Sequence, residues 1–405
     1  MPALSLSCRV CATEHPLEAT GTCTRCFGPL DPVYDWDALR ATVTRERIAA
    51  GPPSIWRYAD LLPVAAPAEQ LLAPGLTPLS PAPRLAEELG VAELWLKLDT
   101  ANPTHSFKDR VVAVAAEKAK ELGFGTLSCS STGNLAGAVA ARAAAEGLDA
   151  AVFCPADLEP EKLSAAAVYG PTIYAVDGTY DHCSRLSIEL SFELDWGFVN
   201  VNLRSYYAEG SKTLAYEVAE QLGWRGPDVI AIPVASGALY HKVGQGFAEL
   251  RALGLVDGPR PRLVGGQAEG CRPVATAFHE GGRVQPVRPD TVARSLAIGN
   301  PADGDFAVST ARETGGAIHA VAEEEIGENM ALLAAATGVF GETATGVTLG
   351  ALRTAIARGE VGPDARVVLL VTGDGLKTPQ AVAHTFAPVH IAADADAFVE
   401  EVLAA

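Results

Sequence analysis

One lysine, Lys108, has sequence neighbours that suit covalent chemistry. It lies within residues 102–110, directly after Phe107 and directly before the apolar residues 111–116. An apolar setting and the N-terminus of a helix both disfavour the protonated form of an amine. A neutral lysine can attack a carbonyl carbon and form an imine. An amphipathic helix that begins with the charged residues 108–110 would give the same pattern, so this stretch alone leaves both interpretations open.

A second group of polar residues, 130–134, follows a strand-like stretch and precedes an Ala-rich one. Main-chain amides at a helix N-terminus bind anions such as carboxylates, and the side chain of Asn134 adds a directional donor. Ser, Thr and Asn are also the preferred caps of ordinary helices, but one cap needs only one such residue. We therefore interpret Ser131, Thr132, Gly133 and Asn134 as a ligand-binding loop.

Two further turns follow apolar stretches. The first is small-residue-rich and precedes a helix, a composition that suits a phosphate cradle; it consists of Ala235, Ser236, Gly237, Ala238 and Leu239. The second begins at Thr372, whose hydroxyl can meet a ligand heteroatom, although a plain turn explains its glycines equally well. An amine, an amide, an anion loop and a hydroxyl match the aldehyde, ring hydroxyl, phosphate and pyridine nitrogen of pyridoxal phosphate.

Four of the eight cysteines form two pairs of the type CxxC, namely Cys8 with Cys11 and Cys23 with Cys26. Two tight turns that face each other supply the four thiolates of a tetrahedral zinc site, and unmetallated thiols are the alternative. We expect a small zinc-ribbon-like module with a structural zinc ion as a candidate ligand. A closed site of four thiolates leaves no position open for a substrate, so its expected role is structural.

The elements that must hold these loops alternate between strand and helix. Apolar strands are predicted at residues 93–98, 126–129, 150–154, 172–176, 228–234, 262–266 and 365–371, with helical stretches between most of them. This alternation predicts parallel sheets that are covered on both faces. Ligands bind beyond the carboxyl ends of strands in such sheets, and the lysine and the three loops all follow predicted strands.

Length and charge restrict the class of protein. A chain of 405 residues is too long for one ordinary core, and a net charge of −18 disfavours nucleic-acid or anionic-membrane partners. A phosphorylated ligand must then be held by a local positive site. The start of the chain lacks the features of a signal peptide, and no stretch is apolar enough for a membrane span. The other four cysteines are scattered, as in reduced proteins, so we expect a cytoplasmic location.

The ordered set of motifs resembles the threonine synthase family, which belongs with the tryptophan synthase β-subunit and the serine dehydratases among the pyridoxal-phosphate enzymes. The resemblance covers nearly the whole chain, through the cysteine pairs and residues 54–58, 77–79, 102–110, 131–134, 199–204, 209–213, 233–239, 295–304 and 372–378. It implies an α/β fold of two doubly wound parallel-sheet domains, of the tryptophan synthase β type, with a small N-terminal ribbon.

The resemblance also implies boundaries and roles. We expect a ribbon at residues 1–34, the N-terminal part of a large domain at 35–110, a small α/β domain at 111–210, and the rest of the large domain at 211–405. Lys108 matches the lysine that anchors the cofactor, and Asn134 matches the partner of its ring oxygen. Residues 235–239 match the loop for its phosphate, and Thr372 matches the partner of its pyridine nitrogen.

The implied reaction converts O-phosphohomoserine and water to threonine and phosphate. The loop of Ser131, Thr132, Gly133 and Asn134 would hold the substrate carboxylate. Arg110, Arg204 and Lys212 are candidates for binding the leaving phosphate, with an ordinary ion-paired residue as the alternative for each. His105 stands where many relatives have glycine, and it would either meet the substrate phosphate, relay a proton, or simply pack.

Two other enzyme activities fit the same scaffold, and one non-enzymatic role competes with them. The enzymes are a serine or threonine dehydratase and a β-replacement enzyme that acts on O-phosphoserine-like substrates. The non-enzyme is a catalytically silent relative that binds partners through its ribbon. We expect a homodimer with a small phosphorylated amino acid as its ligand, and neither nucleic acid nor membrane as a partner.

Overall fold

The computed structural model describes residues 3–131, 133–157 and 160–404. Within these residues the strands form a three-stranded antiparallel sheet, a six-stranded mixed sheet and a four-stranded parallel sheet. No helix in the same part of the chain is long and apolar enough to cross a membrane. The α/β class that the alternating pattern predicted is therefore confirmed, with one sheet fully parallel and the larger one parallel except for its antiparallel edge strand at residues 79–81.

The ribbon is built from β1 (Ala3–Cys8), β2 (Glu14–His15) and β3 (Leu30–Tyr34), in the order β2-β1-β3. Each cysteine pair lies in a tight turn, and the residue after the second cysteine of each turn, Ala12 or Phe27, has a positive φ angle. The ribbon has little core of its own. Leu6 and Leu30 instead pack into an apolar cluster shared with the helices of the larger body, which fixes the ribbon against it.

The chain then passes through the first part of the large sheet. Its elements are α1 (Trp36–Thr42), α2 (Arg45–Ala49), β4 (Leu79–Pro81), α3 (Pro83–Leu89), β5 (Glu93–Leu98) and α4 (Lys108–Glu121). Helices α1 and α2 are separate because the side chain of Thr44 caps a new helix by accepting from the amide of Arg47. The predicted strand at residues 93–98 is confirmed.

The small sheet has the strand order β8-β7-β6-β9 and is parallel throughout. Its elements are β6 (Thr126–Ser130), α5 (Asn134–Glu146), β7 (Asp149–Pro155), α6 (Pro160–Ala167), β8 (Thr172–Val176), α7 (Tyr180–Glu193), β9 (Gly197–Phe198) and α8 (Arg204–Glu209). Ala-rich α5 and the buried start of α4 share one core with β6 and β7. The carboxyl end of β6 therefore delivers residues 131–134 to the start of α5.

The rest of the chain completes the large sheet, whose strand order is β12-β11-β10-β13-β5-β4. Its elements are α9 (Lys212–Gln221), β10 (Val229–Pro233), α10 (Ala238–Ala252), β11 (Arg262–Ala268), α11 (Pro273–Glu280), α12 (Gly304–Thr314), β12 (Ala317–Val321), α13 (Glu323–Thr337), α14 (Thr343–Ala357), β13 (Arg366–Val371) and α15 (Ala395–Ala404). Strands β5 and β13 are parallel neighbours, so the residues that follow them meet at one sheet edge.

Candidate active site

Lys108 is the first residue of α4, and its amine lies between two aromatic rings. Its Nζ is 4.5 Å from the centre of the Phe107 ring and donates a 3.1 Å hydrogen bond to the hydroxyl of Tyr207 on α8. The first turn of the helix is tied to the preceding loop, because the carboxylate of Asp109 accepts from both the amide and the hydroxyl of Thr104, at 2.8 and 2.9 Å. An acidic residue in the first turn is also favoured by the helix dipole. The main chain that carries the amine is therefore fixed, and the amine itself has a hydrogen bond to the Tyr207 hydroxyl.

Main-chain hydrogen bonds join the loop before Lys108 to the loop after β13. The amide of Phe107 donates to the carbonyl of Thr372 at 2.9 Å, and the amide of Asp374 donates to the carbonyl of His105 at 3.1 Å. The amide of Glu342 in turn donates to the carbonyl of Gly373 at 3.0 Å. Three segments that are far apart in sequence are therefore held as one wall, with Thr372 buried in it.

The side-chain amide of Asn134 is held from both sides. Its Oδ1 accepts from Lys377 Nζ at 2.7 Å, and its Nδ2 donates to the carboxylate of Glu342 at 2.9 Å. Because an ammonium only donates and a carboxylate only accepts, these two partners fix which end of the amide is nitrogen. One N–H of Nδ2 then remains for a ligand oxygen.

Glu342 and Lys377 are the site residues that sequence reasoning did not identify. Burial raises the pKa of Glu342, against the lowering effects of the Asn134 amide and the Lys377 charge. Burial also lowers the pKa of Lys377, whose Nζ donates to the carbonyl of Thr104 at 2.6 Å. Glu342 resembles an ordinary acid at a helix start, and Lys377 an ordinary surface lysine, so only proximity in the fold distinguishes them.

The small-residue turn after β10 has the geometry of an anion cradle. Gly237 has a φ angle of +89°, and a Cβ there would lie 2.5 Å from the carbonyl oxygen of Asp303, so glycine is required. Ala235, Ser236, Ala238 and Leu239 surround it at the start of α10. The first amides of a helix have no partner within the helix, so those of this 15-residue helix can bind an anion.

The loop after β6 is described only in part, because Thr132 lies outside the described residues. Ser131 is buried, and its amide donates to the carbonyl of Phe153 at 3.2 Å. Gly133 is exposed, and its amide donates to the hydroxyl of Ser131 at 3.3 Å. These two residues and Asn134 lie at the N-terminus of α5, where the exposed turn leaves space for a carboxylate.

His105 is exposed and adopts a φ angle of +59°. That conformation is unfavourable for a residue with a Cβ atom and favours glycine. Its Nδ1 lies 3.1 Å from the carbonyl oxygen of Thr100. The main chain of His105 is hydrogen-bonded within the wall beside Lys108, whereas its ring contacts Thr100, which is not part of that wall.

Two of the three cations expected at the leaving phosphate are engaged elsewhere. Arg110 is fully buried between the carboxylates of Asp99 and Glu217, with Nε 2.7 Å from Asp99. Lys212 is fully buried and lies 2.6 Å from Glu209. Removing either cation from its carboxylates would leave an unpaired buried charge. These buried partners therefore disfavour both cations as phosphate ligands. Glu217 lies 107 residues from Arg110 in the sequence, whereas Glu209 lies three residues before Lys212.

Arg204 is the third candidate, and it has a different environment. It begins α8, its side chain is 21% exposed, and it pairs with Asp303, whose carbonyl backs the Gly237 turn. Lys108 and its partner Tyr207 lie on α4 and on this same short helix α8. Arg204 is therefore the candidate that remains for a phosphate group.

The four ribbon cysteines come together as a metal site requires. The sulfur atoms of Cys8, Cys11, Cys23 and Cys26 all lie within 4.8 Å of one another. Desolvation opposes ionisation of Cys23, but the main-chain amides of Arg25 and Cys26 lower its pKa to about 6. A thiolate is the form that binds zinc, so the arrangement fits a structural zinc ion.

Substitution of Cys8 by serine is expected to reduce bound zinc by at least about half, because a tetrahedral site then has only three thiolates. The measurement is metal content per chain by mass spectrometry after purification without chelator. Cys271→Ser is the matched control, since this buried thiol lies outside the cluster. Equal zinc in both variants, or none in the unmodified protein, would contradict a zinc ribbon.

The residues of the main site fit the cofactor that the resemblance implies. Lys108 offers an amine for its aldehyde, the fixed amide of Asn134 a donor for its ring oxygen, and the turn at Gly237 free amides for its phosphate. Thr372 follows the strand next to β5, where a hydroxyl can meet the ring nitrogen. Each of these protein groups would therefore bind a different polar group of the cofactor, which has four of them.

Comparisons with known proteins agree with this fit. Residues 71–373 match the family described as pyridoxal-phosphate dependent enzyme. Maize serine racemase has the same fold, with a TM-score of 0.63 at 20% identity, covering 76% of this chain and 91% of that one. Threonine deaminase isoform 2 of Solanum lycopersicum gives 0.65 at 20% identity, covering 80% and 95%. The chain therefore belongs to the pyridoxal-phosphate-dependent enzymes, and its cofactor is pyridoxal phosphate.

Full-length relatives narrow the class further. The threonine synthase of Methanosarcina acetivorans is 35% identical over 381 residues, which cover 93% of each chain. That of Methanocaldococcus jannaschii is 33% identical, covering 92% of this chain and 93% of the relative. Within the pyridoxal-phosphate enzymes, the chain is thus a member of the threonine synthase family.

Proposed function

We propose that the chain converts O-phospho-L-homoserine and water to L-threonine and phosphate. The observation that carries this proposal is the 35% identity to a threonine synthase over 93% of the chain, in a fold that provides the amine of Lys108, the fixed amide of Asn134 and the turn at Gly237. Pyridoxal phosphate, when bound, withdraws electrons from the substrate and stabilises negative charge on its carbon atoms.

The chain's own residues bind and orient the substrate and move its protons. The start of α5, with Ser131 and Gly133, binds the substrate carboxylate, and Arg204 binds its phosphate. Lys108 takes the proton from Cα as a general base, and a proton then leaves Cβ before phosphate departs from Cγ. Cγ then takes up a proton to become the methyl group, water adds its hydroxyl group to Cβ and gives up its other proton, and Lys108 returns a proton to Cα. The wall around Thr372 and Glu342 limits the water that reaches these atoms.

Tyr207 is expected to assist Lys108, because its hydroxyl accepts the 3.1 Å hydrogen bond from Nζ. Tyr207→Phe should lower kcat by roughly 10- to 100-fold with little change in KM, since it removes one hydrogen bond to the amine that becomes charged when it takes the Cα proton. Tyr206→Phe is the matched control, because the adjacent hydroxyl donates to the carbonyl of Glu18 at 2.9 Å. Steady-state kinetics that give the two variants the same kcat would exclude this role.

The decisive experiment supplies the purified enzyme with O-phosphohomoserine and measures threonine and phosphate. Equal amounts of both products support the proposal. A higher rate of 2-oxobutyrate formation from threonine would instead show a dehydratase, and turnover of O-phosphoserine with an added nucleophile would show a β-replacement enzyme. The absence of all three activities would favour the remaining alternative, a catalytically silent protein that binds partners through its ribbon.

We also propose that the enzyme is a cytoplasmic homodimer. All eight cysteines are free thiols, which suits a reducing compartment. The dimer rests on the family resemblance and is tested by sedimentation analysis of the full chain with cofactor. A monomer at all concentrations would remove that part of the proposal.

A further inference from the structure

Arg9 connects the ribbon to the body of the enzyme. It directly follows Cys8, and only 9% of its side chain is exposed. Its Nε and Nη2 donate to the carboxylate of Asp31 on β3, at 2.7 and 2.6 Å, while its Nη1 donates to Asp303 at 2.7 Å. The guanidinium also lies 5.1 Å from the centre of the Phe306 ring. One side chain therefore bridges a ribbon strand and the start of α12.

Asp303 is the point where this bridge reaches the phosphate-binding residues. Its carboxylate is buried and pairs with both Arg9 and Arg204. Its amide donates to the carbonyl of Ser236 at 2.9 Å, and its own carbonyl packs against Gly237. A single residue thus contacts the arginine proposed for the substrate phosphate and the turn proposed for the cofactor phosphate.

The charges explain why Arg9 matters to Arg204. Burial alone would raise the pKa of Asp303, but Arg204 and Arg9 lower it, so the carboxylate is ionised. One carboxylate is shared by two guanidinium groups, and Arg204 therefore keeps positive charge that an incoming phosphate can use. Without Arg9, Asp303 would neutralise Arg204 alone, and its carboxylate would lose one of the two cations that hold this residue behind Ser236 and Gly237.

We propose that Arg9 is a positioning residue for phosphate binding, so that the ribbon is part of the phosphate end of the active site. By sharing Asp303, Arg9 limits how far this carboxylate neutralises Arg204, and it helps to hold the 235–239 turn in place. The effect on substrate phosphate rests on the proposed function. The effect on cofactor phosphate does not, because it concerns the turn alone.

The test compares the binding of pyridoxal 5'-phosphate with that of pyridoxal, which lacks the phosphate, to the full-length apoenzyme. Arg9→Gln should raise the Kd for pyridoxal phosphate about 5- to 30-fold, the range for residues that act through a neighbour, and leave that for pyridoxal within about twofold. Inorganic phosphate should inhibit turnover correspondingly less. Arg9→Lys, which keeps a cation, should restore part of the affinity.

Arg25→Gln is the matched control, because Arg25 is an exposed arginine in the second cysteine turn of the same ribbon. It should bind both compounds like the unmodified enzyme. Equal weakening of pyridoxal phosphate and pyridoxal by Arg9→Gln would overturn the proposal, because it would show general loss of structure. Unchanged binding of both would overturn it as well.

Two further outcomes separate this inference from the proposed function. If the enzyme fails to act on O-phosphohomoserine but Arg9→Gln still loses affinity for pyridoxal phosphate selectively, the role of Arg9 stands and the substrate is wrong. If Arg9→Gln does not fold, Arg9→Lys carries the comparison alone. A Kd ratio of pyridoxal phosphate to pyridoxal that Arg9→Lys leaves unchanged would then count against the proposal.

Discussion

Replacement of Lys108 by alanine is expected to lower kcat by at least about 10⁴-fold, the upper end of what one positioned acid–base group supplies. The loss should be this large because the same amine anchors the cofactor and moves the substrate protons. Borohydride reduction followed by peptide mapping should find the pyridoxyl adduct on Lys108 in the unmodified enzyme. The alanine variant should carry no covalent cofactor, although it should still bind pyridoxal phosphate through the Gly237 turn.

A second lysine of the same helix provides the control. Lys120 lies near the end of α4 and pairs with Glu117 at 2.8 Å and Glu146 at 2.9 Å, far along the helix from the wall at Thr372. Lys120→Ala should keep normal activity and the adduct on Lys108. Activity that survives in Lys108→Ala, or an adduct that maps to another lysine, would falsify the assignment of the reactive amine.

Local sequence patterns predicted the elements that hold the site. The apolar stretches at residues 93–98 and 365–371 predicted β5 and β13 with their observed bounds or within one residue, because hydrophobic patterning acts over a few positions. The same patterns were enough to place the loops that follow β6, β10 and β13 at the ends of sheets. Residues 273–280 and 304–314 form helices that were not predicted, since their patterns are short and flanked by irregular chain.

The partners of charged residues could not be predicted, because they come from other parts of the chain. Glu342 reaches Asn134 across 208 positions, and Arg110 reaches Glu217 across 107. Nothing in the local sequence of Arg110 distinguishes a guanidinium that binds substrate from one that neutralises a buried carboxylate. Burial of charge is decided by tertiary packing, so the role of Arg110 at the leaving phosphate stays a prediction, which its burial between Asp99 and Glu217 disfavours and which experiment can test.

Arg110→Met should reduce the free energy of unfolding by about 3–5 kcal/mol, because it leaves Asp99 and Glu217 as buried carboxylates without their main cation. Lys97, 2.6 Å from Glu217, would be the cation left to them within this cluster. Chemical denaturation gives the stability, and kinetics on the folded fraction should give a KM for the phosphorylated substrate within about twofold of normal, since Arg110 does not reach substrate.

The pH dependence of this stability has a defined direction. Desolvation would raise the pKa of Glu217, but Arg110 and Lys97 lower it to about 2 from an ordinary value of 4.5. A depressed carboxyl pKa contributes stability above the unfolded value, and this contribution is lost as the pH falls from 4.5 towards 2. In Arg110→Met the pKa of Glu217 should rise, so acid unfolding should begin at higher pH than in the unmodified protein.

Arg204→Met is the matched comparison, because it removes a guanidinium that is 21% exposed and faces the phosphate end of the site. It should raise KM for the phosphorylated substrate by about tenfold or more and change stability less than Arg110→Met, since a partly exposed pair is weaker than a buried one. Arg110→Met should thus change mainly the free energy of unfolding, and Arg204→Met mainly the KM for the phosphorylated substrate. If Arg110→Met instead raised KM with unfolding unchanged, the buried ion cluster would have to open for substrate, and Arg110 would again be a candidate for binding the leaving phosphate.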